Sequence, residues 1–226
     1  MNGVLCVVDD VPATFAATVI AAFGSRPERT FSIVLSGGNT ARRCYERLAT
    51  SIDRIDWSRV HVLWGDERCV PPDSPHSNAR LACEALLRHV GAVGAVHPMR
   101  CEEGAEPYER LIRQRDHLDI VHLGLGPDGH TASLFPHSPA LCAGPDRLVT
   151  MNHDPLGNNP FQRMTFTFAA IARARLVLFS VEGQERRPAF ARVLAGDPTA
   201  PATHVRADKI MWIVDPAVAG QQSRTT

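Results

Sequence analysis

Lysine is nearly missing from this chain of 226 residues: Lys209 stands alone, and the other 23 of the 24 basic side chains are arginine. A bias in base composition produces such a skew without a functional cause, but it carries one chemical consequence. Covalent chemistry that needs an amine nucleophile must use Lys209 or be absent. Net charge is missing too. The 24 basic and 24 acidic residues balance to a formal charge of zero, which argues against a chain that coats nucleic acid or an anionic membrane, because both need a positive field.

Long apolar runs are absent as well. The stretch from Met1 to Ile20 has no early Arg or Lys, and Asp9, Asp10 and Pro12 interrupt it, so neither a signal peptide nor a membrane-spanning helix fits. The six cysteines (Cys6, Cys44, Cys69, Cys83, Cys101, Cys142) form no C-x-x-C pair. In a chain of this length that spacing reads as reduced thiols in a cytoplasmic protein, with neither a disulfide frame nor a zinc site.

What is present is an alternation of short β-branched runs with longer amphipathic stretches. Strands are expected at Phe31–Leu35, Val60–Trp64, Ile120–Leu123, Leu148–Met151, Met164–Phe168, Leu176–Val181 and Ile210–Val214. Helices are expected at about 41–51, 78–90, 105–117 and 184–195. Strands separated by helices imply an α/β fold, Rossmann-like and doubly wound, with a mostly parallel sheet flanked by helices. With no internal repeat and no Ser/Gly-rich linker, the chain reads as one domain over 1–216, with a frayed tail over 217–226.

In such sheets ligands bind beyond the carboxyl ends of the strands, which singles out three loops. Ser36-Gly37-Gly38-Asn39-Thr40 joins a strand to a helix start. Its glycines, hydroxyls and helix N-terminus suit a small phosphate ester, and equally a tight turn with an N-cap. It lacks the lysine and the spacing of a nucleotide P-loop. Gly65-Asp66-Glu67-Arg68 leads on to Asp73, His76, Ser77 and Asn78. Three readings stay open there: an exposed loop with a local ion pair, a divalent-metal site on Asp66, Glu67, Asp73 and His76, or Arg68 pointing into a cleft with Asp66 orienting it or a sugar hydroxyl.

The third loop, Gly124-Leu-Gly126-Pro-Asp128-Gly129, matches the G-x-G-x-x-G dinucleotide pattern in form only. Asp128 would face the pyrophosphate, and Pro136 leaves no room for the crossover helix. What remains is Asp128-Gly129-His130-Thr131-Ala132-Ser133, a histidine on a sharp loop beside an acid. The chain has ten histidines, most of them unremarkable, but this setting suits a general base. No G-x-S-x-G elbow is present, so a base-activated water fits better than a serine nucleophile.

Taken together and in order, these motifs resemble the 6-phosphogluconolactonases, themselves similar to the glucosamine-6-phosphate deaminases/isomerases. The resemblance covers nearly the whole chain. It runs from the Ser36–Thr40 loop through Gly65–Asp73 with Ser77-Asn78 and the long segment Gly124–Pro136 to Arg163-Met-Thr165-x-Thr167, Gly183-Gln184-Glu185-Arg186 and Trp212–Asp215. It implies hydrolysis of 6-phospho-D-glucono-1,5-lactone in the oxidative pentose phosphate pathway, with no metal and no cofactor. By that resemblance His130 is the base that activates water, Arg68 stabilises the oxyanion or orients substrate, and Asp66 and Asp128 position Arg68, His130 or sugar hydroxyls. The substrate and its phosphate would lie against Ser36, Gly37, Gly38, Thr40, Gly126, Thr131, Arg163 and Arg186. The expected partner is this small molecule alone, with no nucleic acid and no membrane, and a monomer or weak oligomer.

Departures from the family pattern are specific. Ala41 stands where Pro is common, Arg186 where the family carries lysine, Asn158-Asn159-Pro160 where a lysine often lies, and His137 where Gly usually follows Leu-Phe-Pro. Two alternatives remain: a sugar-phosphate isomerase/deaminase of the same fold, which would need Asp66 as a proton carrier, and a non-catalytic sugar-phosphate sensor, which would have no need of His130.

Overall fold

The computed structural model describes residues 2–26 and 30–220. Its centre is a seven-stranded sheet in the order β1-β10-β9-β6-β2-β3-β5, in which every neighbouring pair is parallel. The strands are β1 (Val4–Val7), β2 (Phe31–Leu35), β3 (Val60–Trp64), β5 (Ala95–His97), β6 (Leu118–Leu123), β9 (Ala174–Val181) and β10 (Lys209–Val214). All five residues of β2 are buried. This is the signature of a strand covered on both faces, where a continuous apolar run replaces alternation.

A second sheet of three antiparallel strands sits beside it, in the order β4-β8-β7. Its members are β4 (Asp66–Arg68), β7 (Val149–Asn152) and β8 (Arg163–Phe166). Gly65 joins the two sheets. Its N–H donates to the Leu35 carbonyl at 3.0 Å, and its own carbonyl accepts from Phe166 N–H at 2.7 Å.

Among the described residues six α-helices lie between strands, α1 (Val11–Gly24), α2 (Asn39–Ala49), α3 (Asn78–Ala82), α4 (Ala105–Arg113), α5 (Phe168–Ile171) and α6 (Arg187–Ala195), and α7 (Pro216–Ala219) follows the last strand. No helix among the described residues is long and apolar enough to cross a membrane. The chain runs outward from β2 to β3 and β5, then returns to the other side of β2 for β6. The strand order therefore reverses between β2 and β6, and at such a switch point the outgoing loops part to leave a crevice.

Several sequence expectations need correction. A helix not expected from the sequence begins at Val11, and Asp10 and Pro12 form its start. Asp10 accepts from Ala13 N–H at 2.8 Å and Pro12 lies in the first turn, so they start α1. Helix α1 escaped notice because it has no charged stripe to set off its buried Val11, Phe15, Val19 and Phe23. The helix expected over 78–90 is α-helical only to Ala82 and continues as a π turn over Cys83–Leu87. The tail is not frayed from residue 217. Asp215 caps α7 and Val218 is buried, while 221–226 lie outside the described residues.

The reduced-thiol reading also fails for one pair. Cys69 and Cys101 form a disulfide with Cα atoms 5.4 Å apart, whereas Cys6, Cys44, Cys83 and Cys142 are free. Linear spacing could not reveal it, because the fold brings the end of β4 against the turn before α4 from 32 residues away.

Candidate active site

The two loops flanking the switch point, Ser36–Thr40 after β2 and Gly124–His130 after β6, border one cavity of about 260 Å³. Asp66, Arg68, Asn78, Ser133, Asn159, Arg163 and Arg186 line it as well. The structure thus brings residues from five distant segments together at the carboxyl end of the sheet. Lys209 begins β10 at the other end, exposed.

His130 is held on two sides. Its ring Nδ1 lies 2.5 Å from Asp128 Oδ1, and the same oxygen accepts from His130 N–H at 3.0 Å. A carboxylate can only accept, so Nδ1 carries the proton and the neutral ring presents the Nε2 lone pair. Phe135 packs beside the imidazole, with ring centroids 4.9 Å apart. Burial pushes the Asp128 carboxyl up, but the hydrogen bonds it accepts from the His130 ring and N–H outweigh it and hold the group below its ordinary value. Gly126 makes room for this pair. A Cβ there would overlap the His130 ring, so the glycine belongs to the packing of that ring as much as to the cavity wall.

Arg68 and Arg163 face each other across the small sheet as register partners of β4 and β8. Like charges placed opposite one another are destabilising. Arg163 is only 4% exposed, and its guanidinium has no hydrogen bond or ion pair among the described residues. It lies over the Phe135 ring at 5.8 Å. Burial lowers its pKa; the Asp66 charge acts the other way, and the Arg68 charge adds to the lowering. Arg68 donates from Nη1 to the His76 carbonyl at 2.8 Å and likewise has no carboxylate partner. A buried charge left unpaired is costly, so this arrangement calls for an anion.

The role expected for Asp66 is partly corrected. It does not hold Arg68. Its Oδ2 accepts from Ser133 Oγ at 2.7 Å, and Asn78 Nδ2 approaches its Oδ1 at 3.4 Å and donates to its carbonyl at 2.9 Å. Glu67, 5% exposed, turns the other way. It accepts from the N–H groups of Arg68, Asn78 and Ala79 and from Ser77 Oγ, capping α3. The two carboxylates thus serve different partners. Among the described residues no group of three or more His, Cys, Asp or Glu side chains could hold a metal ion.

The residues of the Ser36–Thr40 loop divide between two hollows. Ser36, Gly37 and Gly38 line the main cavity. Thr40 lines an adjoining hollow of about 80 Å³ with Gly37, Gly38, His122 and Ser180. Arg186 borders both, donating from Nε to the Leu125 carbonyl and pairing with Glu185, each at 3.0 Å. Gly37 has no room for a side chain because the Asn78 carboxamide lies against it. Thr131 turns away from the cavity. It is buried, and its hydroxyl donates to the Gly124 carbonyl at 2.9 Å.

Sequence reasoning passed over His122 and Tyr45. Beneath the Ser36 loop, the Tyr45 hydroxyl accepts from Ser36 N–H at 2.7 Å and lies 2.9 Å from His122 Nδ1. Burial lowers His122 to about 3, so it stays neutral. Only the apolar run around it and the phenol nine residues after Ser36 hinted at this support. The other departures find their place too. Asn159 stands in the cavity wall, its Nδ2 on Asp154 at 2.9 Å. His137 takes φ +62°, a left-handed conformation that explains why glycine is common there.

Fold and cavity together define an α/β protein with a carboxylate-held histidine and a cluster of arginines at its switch point. Residues 7–212 match the family of glucosamine-6-phosphate isomerases/6-phosphogluconolactonase, and the chain belongs to that family. It is 41% identical to the 6-phosphogluconolactonase of Synechocystis sp. over 203 residues, 81% of each chain. It is 38% identical to that of Thermotoga maritima over 189 residues, 80% of this chain and 83% of the other. The crystal structure of the Thermotoga maritima 6-phosphogluconolactonase superposes with a TM-score of 0.83 at 33% identity, covering 95% of this chain and all of that one (100%). A monomeric glucosamine-6-phosphate deaminase shares the fold, with a TM-score of 0.80 at 16% identity.

Proposed function

We propose that this chain hydrolyses 6-phospho-D-glucono-1,5-lactone to 6-phospho-D-gluconate, the lactone step of the oxidative pentose phosphate pathway. The observation that carries the reading is the pairing, in one cavity, of a carboxylate-held His130 with an unpaired, largely buried Arg163 opposite Arg68. The 6-phosphogluconolactonase relatives, 41% identical in Synechocystis, support it.

The phosphate settles against Arg163, Arg186 and the Ser36–Thr40 loop, supplying the anion that Arg163 lacks. Water is deprotonated by His130 Nε2 and its oxygen bonds to the lactone carbonyl carbon. Arg68 stabilises the tetrahedral oxyanion. The ring C–O bond then breaks, and the proton from His130 goes to the departing ring oxygen, leaving a carboxylic acid and a hydroxyl. Asp128 keeps the imidazole in the required tautomer throughout. A lactone is an activated ester, so this machinery needs no covalent nucleophile.

Asp66 is committed to Ser133 and Asn78, which favours hydrolysis over the isomerase or deaminase chemistry that would need it as a proton carrier. One domain over 1–216, a cytoplasmic setting and a monomer or weak oligomer belong to the same proposal. The test is a coupled assay on freshly generated lactone against an enzyme-free blank. Acid release above the blank supports the reading. Release of ammonia from glucosamine 6-phosphate, with no gain over the blank on lactone, overturns it.

A further inference from the structure

In a parallel sheet every strand begins at the same end, so residues at strand starts collect at the pole opposite the site. Here they include arginines. Arg26 follows α1, Arg115 precedes β6, and Arg175 is the second residue of β9. With His61 and Asp119 they line a cavity of about 310 Å³ at the amino end of the sheet.

The inner carboxylate of this cavity, Asp119, is already in use. Asp119 Oδ2 accepts from Ser32 N–H at 2.8 Å and from Ser32 Oγ at 3.0 Å. Its Oδ1 lies 3.3 Å from Arg26 Nε and 3.7 Å from Arg175 Nε. Arg115 has no carboxylate within ion-pair distance among the described residues. Its Nη2 lies 3.1 Å from His61 Nδ1 and 3.2 Å from His97 Nε2. A guanidinium has only donors, so each imidazole turns a lone pair toward it, and the proton of neutral His61 is forced onto Nε2. Burial and the Arg115 charge both lower His61 and His97, in keeping with neutral rings.

Among the described residues Arg115 and Arg175 thus keep guanidinium donors that Asp119 does not fill, and the His61 N–H adds one more, while the second carboxylate of the lining is Asp116. Asp116 and His117 stand exposed at the rim. We propose that this cavity is a second anion site, separate from the catalytic one, that takes a phosphate group, free or as a monoester. The donors come from the end of α1, from β3, from the approach to β6 and from β9. That spread suits a tetrahedral dianion with many lone pairs better than a planar carboxylate.

The test counts bound inorganic phosphate by isothermal titration at fixed ionic strength. The catalytic cavity is silenced first with Arg163→Gln and Arg186→Gln together, so that failure of the hydrolysis reading and failure of this site are distinguishable. One phosphate per chain is expected to remain. Adding Arg115→Gln or Arg175→Gln should weaken it about tenfold or more, the scale of a lost charged hydrogen bond. In the otherwise unaltered protein the same two substitutions should leave kcat and KM unchanged. Arg175→Gln decides the matter if loss of Arg115, which braces two histidines, lowers the melting temperature. Glycerol 3-phosphate should compete with inorganic phosphate, and acetate at equal ionic strength should not. Retained binding after Arg175→Gln in that background, loss of all binding in the Arg163→Gln/Arg186→Gln protein alone, or equal competition by acetate would each overturn the proposal.

Discussion

The two sheets share Gly65 and little else in character. The large parallel sheet buries Phe31, Ile33, Val34 and Leu35 on β2 and Ile120, Val121 and Leu123 on β6, none more than 2% exposed. The small antiparallel sheet buries Asp66, Glu67, Asn152, Arg163 and Thr165. Apolar burial stabilises in proportion to area and asks nothing of its neighbours. Polar burial stabilises only where each group finds a partner. Asp66 and Glu67 find theirs within the chain; Arg163 does not. The contrast separates a scaffold that is complete by itself from a wall that is complete only with a ligand.

Four substitutions or conditions break or sharpen that contrast. The largest effect is expected from His130→Ala, between the sheets, which should lower kcat by about 100- to 10,000-fold while phosphate-ester binding persists. Turnover near the unaltered level in the coupled assay would remove His130 from the chemistry. Ile33→Ala, in the middle of β2, should lose about 2–5 kcal/mol of unfolding free energy in urea with kcat and KM preserved below the transition. Glu67→Gln should cost about 1–3 kcal/mol, because its amide group offers fewer acceptors to the N–H groups that start α3. That loss should come with a change in KM, since Arg68 lies on the same strand; stability loss without it would place Glu67 in the scaffold.

The smallest effect is the pH dependence contributed by Asp128. Its carboxyl is held below the ordinary value of 3.8 in the folded protein. The ionised form is thus favoured by folding, and its contribution is complete above that value and fades as pH falls through the lowered one. Denaturation curves of Asp128→Asn and the unaltered protein should therefore converge as the solution is made more acid. Curves that diverge would reverse the sign.

How much of this was legible in the residues follows the same division. Continuous apolar runs betrayed β2, β3, β6, β9 and β10, because burial on both faces leaves a one-letter pattern. The edge strand Val4–Val7 and the short Ala95–His97 carry too little of it. Asp66–Arg68 was read as a loop, since nothing local says that three charged residues pair with β8. Motifs named the site's contents, His130, Arg68, Arg163 and Arg186 among them, but not their connections. That Asp66 serves Ser133 and Asn78, that Glu67 caps α3, and that Arg68 lies across from Arg163 are facts of register between distant segments. The Cys69–Cys101 link was hidden for the same reason.

Arg163→Gln tests the contrast most directly, with KM for the lactone and the melting temperature measured on the same preparation. Removing a buried, unpartnered guanidinium should raise KM about 10- to 100-fold while the melting temperature holds or rises. An unchanged KM with a lowered melting temperature would mean that Arg163 supports the fold and that the phosphate binds elsewhere.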